Sequence, residues 1–108
     1  MSAYAAGDFK VMRDNPFTRF NAADQALLQA SIDKALLAEA EGQEQAWKND
    51  KSRASGAVWG LARYQDKGQA CRKLRVRNQF GKMISEGVFN FCKQPNGEWK
   101  LLGPDLEP

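Results

Sequence analysis

The chain has 108 residues, of which 43% are apolar and 10% aromatic; it carries a net charge of +3, two cysteines and no histidine. This is one domain's worth of sequence with enough apolar material for a core, which excludes a disordered chain. The missing imidazole removes the usual general base near neutral pH, the commonest metal ligand and the simplest pH switch. No stretch approaches the roughly 20 apolar residues that a membrane-spanning helix needs.

Residues 1–20 have little periodicity and include Asn15-Pro16, which reads as an irregular lead-in or tether. Met1-Ser2-Ala3-Tyr4-Ala5-Ala6 lacks the basic and hydrophobic regions of a signal peptide, so an exported form would carry its signal ahead of Met1. A helix is predicted from Ala22 to Glu41, with Asn21 as N-cap, Asp24 in the first turn and Gly42 at the C′ position. Leu28, Ile32, Ala35 and Leu36 form its apolar stripe, widened by Leu27 and Leu37, with the acidic residues turned mostly to water.

Strands follow. The first begins near Gln45-Ala46-Trp47, and a polar stretch from Asn49 to Ser55 leads to a second from Ala57 to Tyr64. After Gln65-Asp66-Lys67-Gly68 come strands from Ala70 to Asn78 and from Met83 to Lys93, then the turn Pro95-Asn96-Gly97-Glu98 and the strand Trp99-Lys100-Leu101-Leu102. Sequential hairpins make an antiparallel meander. If Gly81-Lys82 is a two-residue type II′ loop, Phe80 faces Met83 and, nine steps outward, Cys71 faces Cys92 in a non-hydrogen-bonded pair, where a disulfide can close. Such a staple places the chain in an oxidising compartment.

Alternation separates two faces. Leu74, Val76, Phe80, Met83, Phe89 and Phe91 fall on one side; Lys73, Arg75, Arg77, Glu86, Asn90 and both cysteines fall on the other. Pairing Tyr64 with Gln69 adds Trp59 and Leu61 to the apolar side, and a two-residue loop at Asn96-Gly97 puts Trp99 on the cysteine side, over the disulfide. Charge is also uneven: residues 1–50 hold five Lys/Arg and eight Asp/Glu, a balance of −3, while residues 51–108 hold eleven and five, a balance of +6. Arg72, Lys73, Arg75 and Arg77, with Lys82 and Lys93 nearby, are therefore candidates for an anion- or partner-binding face, against the plainer reading of a solvated sheet face. Trp47 and Trp99 are candidate partner contacts, against the plainer reading of core and edge packing. Nucleic acid is not the expected ligand, because Phe89 and Phe91 alternate away from the basic surface and leave no stacking platform on it.

Chemistry finds little support. Two cysteines 21 positions apart lack both the Cys-X-X-Cys spacing of redox catalysis and an activating histidine. Asp66, Glu86 and Glu98 show no spacing that forces a catalytic pair, and Gly56 and Gly60 lack the strand-loop-helix setting of a phosphate loop. No catalytic residue, metal site or cofactor is expected.

The order Trp47-Lys48-Asn49, Ser55-Gly56, Tyr64, Gly68, Cys71-Arg72, Gly87, Cys92 and Asn96-Gly97-Glu98-Trp99 resembles the C-terminal domain of the bacterial 17-kilodalton surface-antigen family, over roughly residues 20–102. Its most specific parts are the Cys-Arg step, the cysteine spacing and the closing Asn-Gly-X-Trp. The resemblance implies an envelope protein of the periplasm, outer membrane or cell surface, with membrane association only through an N-terminal lipid anchor ahead of this sequence. The expectation is thus an α+β domain over residues 21–102, followed by a tail over 103–108. One N-terminal helix packs on a curved antiparallel meander of four to five strands with one cross-strand disulfide. Its function is non-enzymatic, structural or partner-binding, in the cell envelope; the alternative is a secreted or periplasmic inhibitor or adaptor acting through the loop from Asn49 to Ser55.

Overall fold

Asn21 starts the α-helix for a local reason: its side chain accepts from the Asp24 amide at 2.9 Å while the Asp24 carboxylate accepts from the Asn21 amide at 3.0 Å, a reciprocal capping box. In the computed structural model, which describes residues 15–105, helix α1 runs over Ala22–Leu37. It ends a full turn before Glu41, with Ala38 extended as its C-cap, so Gly42, at φ +80°, serves the turn into the sheet instead of the C′ position.

The sheet is a five-stranded antiparallel meander in chain order: β1 Glu44–Asn49, β2 Ala54–Asp66, β3 Gln69–Phe80, β4 Met83–Lys93 and β5 Trp99–Pro104. Gly81, at φ +56°, opens the two-residue β3–β4 turn, Phe80 pairs with Met83, and Cys71 pairs with Cys92, as the sequence predicts. The disulfide is formed, with Cα atoms 4.0 Å apart.

Two registers differ from expectation. At β2–β3 the turn is only Lys67-Gly68, both at positive φ as a type I′ turn requires, so Tyr64 pairs with Cys71 rather than Gln69. A bulge between Gly60 and Arg63 then shifts the register, and Trp59 pairs with Arg75 rather than Leu74. At β4–β5 the Gln94 amide donates to the Glu98 carbonyl and Gly97 takes φ +87°, so Pro95, Asn96 and Gly97 form a three-residue loop. One extra loop residue moves Trp99 opposite Lys93 and Leu101 opposite Phe91, which flips both to the apolar face. Trp59 therefore leaves the apolar side, and Trp99 leaves the disulfide and packs against the core.

Helix α1 lies on the apolar face over β1 and β2 and reaches β3, burying Leu28, Ile32, Ala35 and Leu36 against Trp47, Val58, Leu74 and Val76. Leu27 and Leu37, predicted to widen the stripe, are exposed. The outward side of the helix carries Ala22, Ala23, Ala26, Ala30 and Lys34 rather than acids, for Asp24 is buried and Asp33 half-buried. More of the apolar face, over β3 and β4, is covered by part of the expected tether. Asn15 caps a short 3₁₀ turn, Pro16–Arg19, by accepting from the Phe17 amide at 2.8 Å, and Phe17 and Phe20 enter the core. Phe20 meets the Trp47 indole edge-on at a centroid distance of 5.2 Å. The domain thus begins by Asn15. At the other end β5 continues through Pro104 and the Asp105 amide bonds Val88, so residues 103–105 belong to the sheet and not to a tail. The remainder of the lead-in, 1–14, and of the tail, 106–108, lies outside the described residues.

Cys71 and Cys92 are 1% and 0% exposed, so the bond is sheltered from solvent thiols. Closing a loop with a sequence separation of 21 restricts the unfolded chain, a contribution of about 3 kcal/mol. Replacing both cysteines by serine is expected to lower the thermal midpoint by about 10 °C; equal midpoints under oxidising conditions would remove the staple's structural role.

Candidate functional surfaces

Arg72 stands between Cys71 and Leu74 in a strand whose even-numbered residues face the core, and its side chain is 0% exposed. It does not join Lys73, Arg75 and Arg77 on a binding face. Its Nη1 donates to the carbonyls of Ala35 at 2.8 Å, Leu36 at 3.4 Å and Ala38, three groups that the end of a helix leaves without partners. Its Nε donates to the Leu61 carbonyl at 3.0 Å, and Leu61 lies within the β2 bulge. Arg63, its register partner, adds a bond from Nη2 to Ala38 at 2.9 Å. The partial negative charge of the helix end thus meets two guanidinium groups. Burial, then the nearby Arg63 cation, lowers the Arg72 pKa from its ordinary value, with Glu41 acting in the opposite direction; a guanidinium so placed remains charged.

Gly60 makes room for this arrangement. A Cβ there would lie 2.6 Å from Arg72 Cζ and 2.8 Å from the Ala35 carbonyl. Its own carbonyl accepts from the Gly42 amide at 2.7 Å, which pins the chain as it turns from α1 to β1. At the opposite end of the helix, the buried Asp24 accepts from Asn49 Nδ2 and Ser52 Oγ, both at 2.7 Å. The sequence reading found Asp24 as a helix-terminal residue but not as the anchor of the loop beyond β1, and it missed Arg63.

The uncovered face of the sheet holds the remaining candidates. Arg75 and Arg77 are exposed along β3; Trp59, half-buried, is the cross-strand neighbour of Arg75, and Val88 lies on its other side. Arg77 faces Glu86, and Glu44 faces Trp59, so acids flank the basic stripe. Lys73 is bound to Asp105 at 2.7 Å. Of the two tryptophans expected at a partner, Trp47 is buried under the helix beside Gly56 and Trp99 is half-buried on the helix side. The aromatic residues that share the basic surface are Trp59, beside Arg75, and Tyr64, near Lys73. Asp66 ends β2, Glu86 lies within β4 and Glu98 precedes β5, and among the described residues no three potential ligand residues cluster for a metal.

Tyr64 closes this face beside the disulfide. It is the register partner of Cys71 on β2, and its hydroxyl donates to Asn90 Oδ1 on β4 at 3.0 Å, so its side chain passes over β3. Burial raises its pKa above the usual phenol value; Asp66 and Asp105 raise it as well, and Lys73 opposes them.

Arg72→Met is expected to leave the carbonyls of Ala35, Leu36 and Leu61 short of donors, Ala38 keeping its bond from Arg63, and to cost about 2–4 kcal/mol in urea unfolding, with Lys at this position recovering only part because it has no planar fork. Gly60→Ala is expected to cost about 1–3 kcal/mol by crowding the guanidinium, and less once Arg72 is already methionine. Additive losses would show that the two residues do not share a site. For Tyr64, with Tyr4 replaced by Phe to leave a single tyrosine, absorbance should titrate above the ordinary phenol pKa. A raised folded-state pKa means that the protonated phenol is favoured in the fold, so stability should fall as pH rises beyond the unfolded value of about 10. Titration at or below that value would contradict the buried setting.

Comparison of the chain with protein-family models, with curated proteins and with solved structures finds no match.

Proposed function

We propose that this chain is a non-enzymatic domain of the bacterial cell envelope that presents the uncovered face of its sheet to a protein component of that envelope. The observation that carries the reading is the Cys71–Cys92 bond, buried in the pair of strands that also bears the exposed arginines. A structural disulfide of this kind belongs to an oxidising compartment. The resemblance to surface antigens in the Cys-Arg step and the closing Asn-Gly-X-Trp points to the same place. Arg75, Arg77 and Trp59 are residue types enriched at protein interfaces, and the flanking Glu44 and Glu86 favour a mixed-charge protein partner over a polyanion. Trp59 is the aromatic beside the arginines and Tyr64, on the same face, is tied across β3 to Asn90, whereas nucleic-acid binding without sequence preference uses successive stacking platforms.

The test combines location with contact. Expressed in the source bacterium with a photo-crosslinking residue at position 77 or, as control, at position 34 on the helix, the oxidised protein should fractionate with the envelope and give a discrete protein adduct from position 77 only. Recovery from the cytosol with two free thiols, or equal crosslinking from both positions, would overturn the proposal.

A further inference from the structure

The early end of α1 leaves the last row of the sheet's helix-covered side without a helix over it among the described residues. Beyond the row Arg72–Phe91–Leu101 lie Gln65, Ala70, Lys93 and Trp99, and no helical turn passes over them because α1 stops at Leu37. The result is a groove of about 430 Å³ whose lining includes Leu37, Arg63, Tyr64, Ala70, Lys93 and Trp99. Leu37, the last residue of α1, is 72% exposed at the edge of this groove. The small Ala70 side chain adds little bulk between the strands, and the Trp99 indole and the Leu37 side chain provide apolar surface.

The charge of the lining is one-sided. Among the described residues that line it, Arg63 and Lys93 are the ionised ones and none is a carboxylate; Glu39 and Glu41 line a separate depression with Arg63 and Arg72. Only one bond from Arg63 is committed, to the Ala38 carbonyl, and among the described residues Lys93 has no ion-pair partner. An apolar cleft with two cations and no acid complements a molecule with an apolar body and one anionic end. The strands along the groove are ladder partners of one another, Gln65 with Ala70 and Lys93 with Trp99. A peptide laid there would have its own main-chain groups poorly met, whereas an alkyl chain has none to satisfy.

We propose that this groove binds a medium-chain acyl carboxylate, with the chain against Leu37, Ala70 and Trp99 and the carboxylate held by Arg63 or Lys93. The site lies at the helix-covered side of the sheet and does not depend on the partner-binding face proposed above.

The probe is decanoate, kept below its micelle concentration and titrated into the oxidised full chain while amide resonances are followed by NMR. Saturable shifts at Ala70, Lys93 and Trp99 are expected. Decanol, with the same chain and no charge, and butyrate, with the charge and almost no chain, should each bind at least tenfold more weakly. Lys93→Glu should weaken decanoate at least tenfold, and Ala70→Phe, which fills the groove from an exposed position, should abolish the shifts while leaving the thermal midpoint close to that of the parent. No saturable shifts, equal binding of decanol, or decanoate binding undiminished by Ala70→Phe would overturn the proposal.

Discussion

The buried guanidinium of Arg72 is the interaction on which the rest of the structure depends. A charge withdrawn from water is tolerated only where hydrogen-bond acceptors replace its hydration; here the helix end and the β2 bulge supply them to Nη1 and Nε, while Nη2 is buried with no hydrogen-bond partner among the described residues. Each feature needs the others. The helix must stop at Leu37 to offer its last carbonyls, the bulge must bring Leu61 within reach, and Gly60 must lack a side chain so that the planar group can lie over it. Asp24 has the complementary position at the helix N-terminus, so α1 is held to the sheet at both ends by buried charged residues of the sign that its dipole favours.

This double attachment accounts for a helix whose outward side is nearly as apolar as its inward side. Ala22, Ala23, Ala26 and Ala30 support helix formation by intrinsic propensity, without the charged outer face that usually marks amphipathic packing. The orientation of α1 is fixed by its caps and by the larger side chains Leu28, Ile32 and Leu36, which enter the core while the alanines remain outside. Acidic residues that seem to belong to a solvent face are instead a buried anchor, Asp24, and a half-buried flank, Asp33.

The hairpin between β3 and β4 was legible in the sequence to the residue, because a Gly-X loop admits few turn geometries and a period of two carries the register outward without drift. Helix α1 was legible at its start, where the cap is local, but not at its end, where the terminating group comes from Arg72, 35 positions after Leu37. Trp59 and Trp99 were assigned to the wrong faces for a common reason. A bulge or a three-residue loop changes the count by one, and neither Leu61-Ala62 nor Pro95-Asn96-Gly97 announces that extra residue by composition. Arg72 could have been placed from parity alone. It alternates with Leu74 and Val76, but its charge suggested the company of Lys73 and Arg75.

The hairpin-borne cystine bears on how the protein matures. The two thiols lie on adjacent strands of one local hairpin, with no third cysteine anywhere in the chain. Only one intramolecular pairing exists, and the contact that aligns it requires β3, β4 and their turn, not the helix or the sheet edges. Cys92 follows Cys71 by only 21 residues, a loop short enough to close in well under a microsecond. With a single possible pairing, no disulfide shuffling is needed. Once formed, the bond fixes the register of β3 against β4, the pair on which β2 and β5 complete the sheet.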